Sequence, residues 1–159
     1  MNQAIVDRFN SVIHPEDTLY ILGDVMLNDN IKAEQYLAQI KGKKIFIRGN
    51  HDTNPRVEIY KKYTNEEIKW ADVIKIKKRN IYLSHYPTYT ANTDDVPNKI
   101  LLNFHGHTHQ TYNFSTDGSY MYHVGVDSHD CYPVLVDDIF EDIKKERESV
   151  ENENKNDLF

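Results

Sequence analysis

The 159-residue sequence is poor in cysteine and has no long hydrophobic run. Its one cysteine, Cys131, excludes an internal disulfide framework and fits a reducing cytoplasm, where we expect the protein to reside. No apolar stretch approaches the roughly 18 residues of a transmembrane helix, and the polar N-terminus lacks the apolar centre of a signal peptide. These absences argue against a membrane protein and against a disulfide-stabilised secreted domain.

The chain also lacks an excess of positive charge, with 19 Lys and Arg against 25 Asp and Glu and a formal net charge of −6. This balance argues against a strongly basic nucleic-acid binder. Half of the net charge falls between residues 146 and 157, where five acids face two bases. We therefore predict one folded domain over residues 1–145 and an acidic, frayed or disordered tail over residues 146–159.

The apolar pattern predicts a mixed α/β fold without internal repeats. Apolar runs at 18–22 and 43–47 flank an amphipathic segment that begins at Asn30 and ends at Gly42, which is the spacing of a parallel βαβ unit. The other predicted elements are a helix at 2–13 with Asn2 as its cap, a short helix at 55–63, a hairpin of strands 73–77 and 81–85 with its turn at 78–80, strands at 100–105 and 120–126, and a last helix capped by Asp137 or Asp138.

Potential metal ligands follow four of the predicted strands. The motifs are Gly23-Asp24, Gly49-Asn50-His51-Asp52, the strand-ending His85, and Gly106-His107-Thr108-His109. Because ligands in α/β sheets bind beyond the carboxyl ends of the strands, we expect Asp24, Asn50, His85, His107 and His109 to share one crevice. Carboxylate, amide oxygen and imidazole donors together favour Mn, Fe or Zn over Ca.

Each motif has an ordinary structural explanation when it is taken alone. Gly23-Asp24 and Asn50-His51-Asp52 are typical of turns, and His85 is as readily a satisfied strand-end histidine. His107 and His109 lie on one side of an extended segment, which more often indicates a functional pair. The occurrence of all four motifs in this order favours a metal site over four unrelated turns.

The ordered motifs resemble those of the calcineurin-like metallophosphoesterases, and the compact size resembles the small bacterial and phage members. The resemblance extends from the first predicted helix to about residue 143. It implies a four-layer α/β/β/α sandwich and two divalent metals, with manganese favoured and iron, zinc or nickel as the other candidates. The mechanism that it implies is hydrolysis by a metal-activated water.

The resemblance also implies a role for each candidate ligand. Asp24 would bridge the two metals. Asn50, His85 and His107 would complete the ligands of the second metal. His109 would join Asp24 on the first metal.

Other residues of the motifs have implied roles in substrate chemistry. His51 resembles the catalytic histidine of the family, which contacts the phosphate or protonates the leaving oxygen. Asp52 is expected to support the turn rather than to bind metal. Arg48 and Tyr86 are candidate substrate-binding residues, although Arg48 is equally plausible as a paired structural arginine.

One family motif is missing from this sequence. The family normally begins with a strand ending in Asp-X-His, which supplies two ligands of the first metal, and no Asp lies two residues before His14. By resemblance, we expect the chain to lack this N-terminal strand. The first metal would then keep only Asp24 and His109, unless His14 or His129 completes the site. An unpaired sheet edge at the gap would favour a dimer.

Several other residues remain open between a structural and a functional role. His105 is as readily a buried strand histidine as a support for the metal ligands. His123 and His129, near Asp127, are more readily structural than part of the cleft. The segment 61–79 carries seven bases against three acids, which suits either a nucleotide or nucleic-acid substrate or, more commonly, a solvated face.

Two functions from different classes follow. The first is hydrolysis of a phosphodiester or phosphomonoester, with nucleotides and nucleic acids among the candidate substrates and no membrane partner. The alternative is a catalytically weak or inactive scaffold that keeps the phosphoesterase fold for binding. The missing Asp-X-His block favours the scaffold, or an enzyme impaired by N-terminal truncation. The retained ligand motifs favour the enzyme, because polar clusters at strand ends are costly to keep.

Overall fold

A computed structural model shows a mixed α/β fold built on two β-sheets. It describes residues 3–90, 101–114 and 120–156. The helices are α1 Gln3–Val12, α2 Asn30–Gln39, α3 Asn54–Tyr60 and α4 Val136–Asn156, and a 3-10 turn spans Val126–Ser128. The strands are β1 Thr18–Leu22, β2 Lys43–Ile47, β3 Ala71–Ile76, β4 Arg79–Ser84, β5 Leu102–His105 and β6 Met121–His123. No helix among these residues is long and apolar enough to cross a membrane.

The first sheet consists of β1 and β2, which pair in parallel on either side of α2 in the chain. This pairing confirms the predicted βαβ unit. A buried cluster containing Val6 of α1, Leu37 of α2, Tyr60 of α3 and Phe46 of β2 covers one face of the sheet. The rings of Phe46 and Tyr60 stack with centroids 4.9 Å apart. Helices α1–α3 therefore form one outer layer.

The second sheet has the strand order β3-β4-β5-β6. The antiparallel pair β3–β4 confirms the predicted hairpin, and β5 lies parallel to both of its neighbours. The hairpin turn lies at Lys77 and Lys78, with φ angles of 49° and 68°, rather than at 78–80. Two consecutive residues with positive φ match the right-handed twist of the flanking strands.

The two sheets share one hydrophobic core. Leu22 and Ile47 of the first sheet belong to the same buried cluster as Leu83 and Phe104 of the second sheet and Ile139 of α4. Burying one such side chain is worth about 1.5–3 kcal/mol, so this shared core holds the sheets together. Two sheets joined by a core and flanked by helices confirm the predicted α/β/β/α class.

The start of α2 differs from the prediction by one residue. Asp29, not Asn30, is the cap, and its side chain accepts a hydrogen bond from the Lys32 amide at 3.0 Å. The side-chain oxygen of Asn30 accepts instead from Arg56 Nε at 3.0 Å. The Asn30 oxygen that the sequence predicts to cap the helix therefore binds Arg56, which lies 26 residues away in the chain.

Three further boundaries differ from the prediction. Helix α2 ends before Gly42, which lies with a φ of 81° in the turn that leads into β2. The last strand ends at His123, because Val126 already belongs to the 3-10 turn. Asp137 and Asp138 lie inside the first turn of α4 rather than capping it, where their charges still favour the positive end of the helix dipole.

Some predicted features lie at or beyond the limits of the described residues. The predicted cap Asn2 and the strand start at residue 100 lie outside them. Helix α4 continues to Asn156, past residue 145 where the sequence predicts the folded domain to end. That division of the chain stays a prediction.

The second sheet contains polar side chains that are almost fully buried. Asn103 is 0% exposed; its side chain donates to Ser84 Oγ at 2.8 Å and accepts from the Thr88 amide at 2.8 Å. His123 is 1% exposed, with Nδ1 2.8 Å from Ser128 Oγ. Burial, helped by the charge of His105, lowers the pKa of His123 to about 4. The imidazole of His123 is therefore neutral in the folded protein at neutral pH.

We expect the free energy of unfolding to fall as the pH drops from about 6.5 to about 4, the range between the unfolded and folded pKa values of His123. In this range the unfolded chain binds more protons than the folded one, so acid favours unfolding. The full contribution of His123 to the free energy of unfolding is about 3 kcal/mol, since one pKa unit corresponds to about 1.4 kcal/mol. Urea unfolding across this pH range measures it.

A matched pair of variants separates this histidine from general acid effects. His123→Asn should flatten the pH dependence of stability, whereas His14→Asn, at an exposed position, should leave it unchanged. A slope in His123→Asn equal to that of the unsubstituted protein would contradict the assignment.

Candidate active site

Four of the five candidate ligands meet at the carboxyl ends of β1, β2, β4 and β5. The Nε2 atom of His85 lies 2.8 Å from Asn50 Oδ1, 3.1 Å from His107 Nδ1 and 3.2 Å from Asp24 Oδ2. Ligand atoms of Asp24, His85 and His107 all lie within 4.8 Å of one another. The expected convergence of strand ends is therefore observed for these four residues, and their role as metal ligands stays a prediction.

The backbone fixes the orientation of the His85 ring. Its Nδ1 lies 2.8 Å from the carbonyl oxygen of Leu22 in β1, and a carbonyl can only accept a hydrogen bond. The Nδ1 atom therefore carries a proton, and in the neutral ring Nε2 presents its lone pair to the other candidate ligands. His85 is 3% exposed, so little water screens this arrangement.

The donor set fits a divalent cation. The atoms that face His85 Nε2 include the oxygens Asn50 Oδ1 and Asp24 Oδ2, both of which are acceptors. Lone pairs that face each other at these distances repel unless a cation or proton lies between them. Two oxygens and two imidazole nitrogens suit a first-row metal of borderline softness.

Unusual backbone conformations place these ligands. Asp24 and His107 have positive φ angles of 54° and 65°, each a strain on the order of 1–3 kcal/mol. Gly23 precedes Asp24 with a φ of 90°, and a Cβ at this position would lie 2.6 Å from His85 Nδ1 and from the Cα of Gly49. The β1 end therefore needs glycine for both its dihedral angle and its contacts.

Asp52 braces the loops that carry the ligands. This carboxylate is 1% exposed. Its Oδ2 accepts hydrogen bonds from the amides of Gly49 at 2.7 Å and Asp24 at 3.0 Å, and its Oδ1 accepts from the Tyr60 hydroxyl at 2.5 Å. Burial, together with Asp52, raises the pKa of Tyr60. Asp52 thus has the turn-supporting position expected from the sequence.

His51 lies beside the ligand cluster with its side chain exposed. Its amide donates to Asp24 Oδ1 at 2.9 Å, and its carbonyl accepts from the guanidinium of Arg56 at 2.5 Å. Burial lowers the pKa of His107, and the charges of His85 and His51 add to this effect. His51 therefore has an anchored backbone and an imidazole that is accessible near the ligands.

His109 does not join the close ligand group found among the described residues. Its Nδ1 lies 2.9 Å from Asp127 Oδ2, and its side chain is 78% exposed. His109, Asp127 and Asp24 nevertheless line the same groove, which has a volume of about 460 Å³. Sequence reasoning placed Asp127 near His123 and His129, and no local motif linked it to His109.

Arg48 is engaged by its own loop. Its guanidinium donates to the Asp52 carbonyl and to Asn54 Oδ1, both at 2.9 Å, and lies 4.6 Å from the centroid of the Trp70 ring. These contacts match the structural alternative that the sequence left open. The role of Arg48 in substrate binding stays a prediction.

The ring of Tyr86 lies beside the ligand cluster, and its role in substrate binding stays a prediction. Its ring makes edge contacts with His107 at a centroid distance of 4.5 Å and with His85 at 5.2 Å. The residue is 47% exposed, so an aromatic surface stands open beside the ligand cluster.

Neither alternative histidine joins the close ligand group. His14 precedes β1, at the end of the strand opposite to Asp24. His129 Nε2 lies 2.9 Å from the carbonyl of His123. His105 is buried, its Nδ1 lies 3.0 Å from the carbonyl of Gly106, and burial lowers its pKa.

The basic segment 61–79 is largely neutralised by neighbouring acids. Four of its lysines form ion pairs: Lys61 with Glu58, Lys62 with Glu34, Lys69 with Asp72, and Lys77 with Asp137. Exposed pairs of this kind contribute about 0–1 kcal/mol each and leave little free charge for steering a polyanion. The geometry matches an ordinary solvated face.

We expect Asp52→Asn to lower the free energy of unfolding by about 2–4 kcal/mol, because a buried acceptor of three hydrogen bonds becomes an amide that cannot satisfy the same donors. Urea denaturation measures the loss. Asp137→Asn, in an exposed ion pair with Lys77, is the matched control and should change stability by less than about 0.5 kcal/mol. Equal stability of both variants would show that Asp52 does not brace the loops.

Comparison by sequence identifies related proteins. A model of the calcineurin-like phosphoesterase superfamily domain matches residues 1–126. An uncharacterised protein of Methanocaldococcus jannaschii is 31% identical over 116 residues, which is 69% of this chain and 53% of the relative. The chain therefore spans about half the length of this curated relative.

Comparison by structure identifies similar folds. A protein of unknown function from Aquifex aeolicus aligns with a TM-score of 0.64 and 28% identity, over 87% of this chain and 82% of its own. A novel archaeal phosphodiesterase aligns with a TM-score of 0.51 and 18% identity, over 76% of this chain and 72% of its own. At that identity the second likeness concerns the fold alone.

Proposed function

Because the chain belongs to the calcineurin-like phosphoesterase superfamily, we propose that it hydrolyses phosphodiesters or phosphomonoesters with the help of a divalent metal. The superfamily is metal-dependent, and its substrates are phosphate esters. The observation that carries the proposal is the convergence of Asp24, Asn50 and His107 on the Nε2 atom of His85. The proposal includes manganese as the metal, and a cytoplasmic location in keeping with the single cysteine.

Four residues would hold the metal. The donor atoms are Asp24 Oδ2, Asn50 Oδ1, His85 Nε2 and His107 Nδ1, which already face one another. A divalent metal bound there supplies positive charge, which acidifies a water molecule and offsets the charge of phosphoryl oxygens. A second, weaker metal would have Asp24 and His109 as its ligands.

His51 is the proposed general acid. Its exposed imidazole can give a proton to the leaving oxygen as the phosphorus–oxygen bond breaks. The hydrogen bonds of its backbone to Asp24 and Arg56 keep the residue at the edge of the ligand cluster. Tyr86 offers its open ring as a wall against which the alcohol part of the ester can pack.

A binding protein with the same fold is the alternative function. The observation that favours it is the position of His109, which pairs with Asp127 and lies outside the close ligand group of the described residues. A protein with one metal position can bind a phosphate ligand without activating water efficiently. Metal binding without turnover would be its signature.

We expect His51→Ala to lower the turnover of bis(4-nitrophenyl) phosphate by about 10²–10⁴-fold and to leave metal content unchanged, because only the general acid is lost. His107→Ala should lower both turnover and metal content. Absorbance assays with added Mn and elemental analysis give the two readouts, and His14→Ala is the exposed control.

Two outcomes would contradict parts of this proposal. Unchanged turnover in His51→Ala, both of this diester and of a diester whose leaving alcohol is too basic to depart without a proton, would exclude His51 as the acid. A metal-loaded protein that hydrolyses neither this diester nor 4-nitrophenyl phosphate would favour the binding protein.

We also expect one metal equivalent per chain to survive a mild chelator wash. Four donor atoms face one another, whereas His109 contributes one nitrogen and lies outside the close ligand group of the described residues. Elemental analysis before and after washing measures the retained metal. Two equally retained equivalents would mean that another residue completes the second position.

A further inference from the structure

Asp127 holds one nitrogen of the exposed His109 ring. Its Oδ2 lies 2.9 Å from His109 Nδ1, although the two residues are 18 positions apart. A carboxylate accepts hydrogen bonds, so this contact places a proton on Nδ1, and the neutral form of the ring then has its lone pair on Nε2. His85 is held in the same tautomer by the carbonyl of Leu22. Acceptors outside the ligand group thus orient two histidines in the same way.

The turn that carries Asp127 is anchored independently of His109. Ser128 Oγ lies 2.8 Å from Nδ1 of the buried His123 and donates to the Gly125 carbonyl at 3.1 Å. His129 Nε2 lies 2.9 Å from the His123 carbonyl. Because these contacts tie the 3-10 turn to the end of β6, the position of Asp127 does not depend on the histidine that it contacts.

His109 has little else to fix its ring. Its side chain is 78% exposed, and its backbone has a positive φ of 46°. Among residues 3–90, 101–114 and 120–156, Asp127 is the only hydrogen-bond partner of this imidazole. An exposed side chain without packing samples several rotamers, and this contact favours one of them.

We propose that Asp127 is a positioning residue, which fixes His109 so that Nε2 is presented to a second, weaker metal position in the groove shared with Asp24. This inference rests on the proposed metal-dependent function. Carboxylates that orient ligating histidines raise metal affinity by about 10–100-fold, so Asp127 decides how well the incomplete position binds.

The first test reads the tautomer in the metal-free protein and needs no activity. Two-bond ¹H–¹⁵N spectra above neutral pH should show His109 with its proton on Nδ1. Asp127→Ala should move the proton towards Nε2, the form that an unconstrained neutral histidine prefers. Asp127→Asn keeps an acceptor oxygen and should retain the Nδ1 form. Retention of the Nδ1 form in Asp127→Ala would overturn the proposal.

The second test measures manganese binding by calorimetry. Asp127→Ala should lower the affinity for the second manganese equivalent by about 10–100-fold and leave the affinity for the first unchanged. The affinity of Asp127→Asn for the second equivalent should lie between those of Asp127→Ala and the unsubstituted protein. Asp137→Ala is the control at an exposed site. A tautomer shift without any change in the second equivalent would also overturn the proposal.

Failure of the proposed function has a different signature. If the unsubstituted protein binds no manganese, the metal-dependent function fails, and the proposal for Asp127 falls with it. If only the first equivalent binds in all variants, the function stands and the role of Asp127 in metal binding is excluded. Asp127 is not buried, and amide spectra of each variant establish that the fold is intact.

Discussion

The buried carboxylate of Asp52 is the contact on which the geometry of the site depends. It accepts hydrogen bonds from the amides of Asp24 and Gly49 and from the hydroxyl of Tyr60. The ends of β1 and β2 and the end of α3 are thereby joined at one point below the ligand cluster. A charged acceptor with three donors stabilises the backbone conformations that the ligand loops require, including the positive φ of Asp24.

At the ligand cluster, the fold brings together lone pairs that repel one another when His85 is neutral. His85 Nε2 faces the oxygens of Asn50 and Asp24 while its proton is held by Leu22 on the other side of the ring. A cation relieves this repulsion, so metal binding should stabilise the folded chain as well as supply chemistry. Arg48 and four lysines of the segment 61–79 are engaged in structural contacts. The ring of Tyr86 stays open beside the ligand cluster.

Short-range patterns predicted the main elements and the family well. The βαβ unit and the β3–β4 hairpin follow from apolar periodicity, because strands and turns are local properties. The family follows from the resemblance of ordered motifs of two to four residues. Local rules failed where a distant side chain competed. Asp29 caps α2, and the oxygen of Asn30 accepts from Arg56 instead. Arg48 is held by Asn54 and Trp70, which sequence spacing does not reveal.

The sequence by itself determined which residue types stand at the strand ends, and hence the class of metal and reaction to expect. Only the tertiary structure decided which of them meet. Asp24, Asn50, His85 and His107 converge because the carboxyl ends of strands from both sheets lie close together, whereas His109 contacts Asp127, 18 residues away in the chain. That partnership depends on how the turn after β6 is anchored to the buried His123, and no periodicity in the chain encodes a contact between two loops.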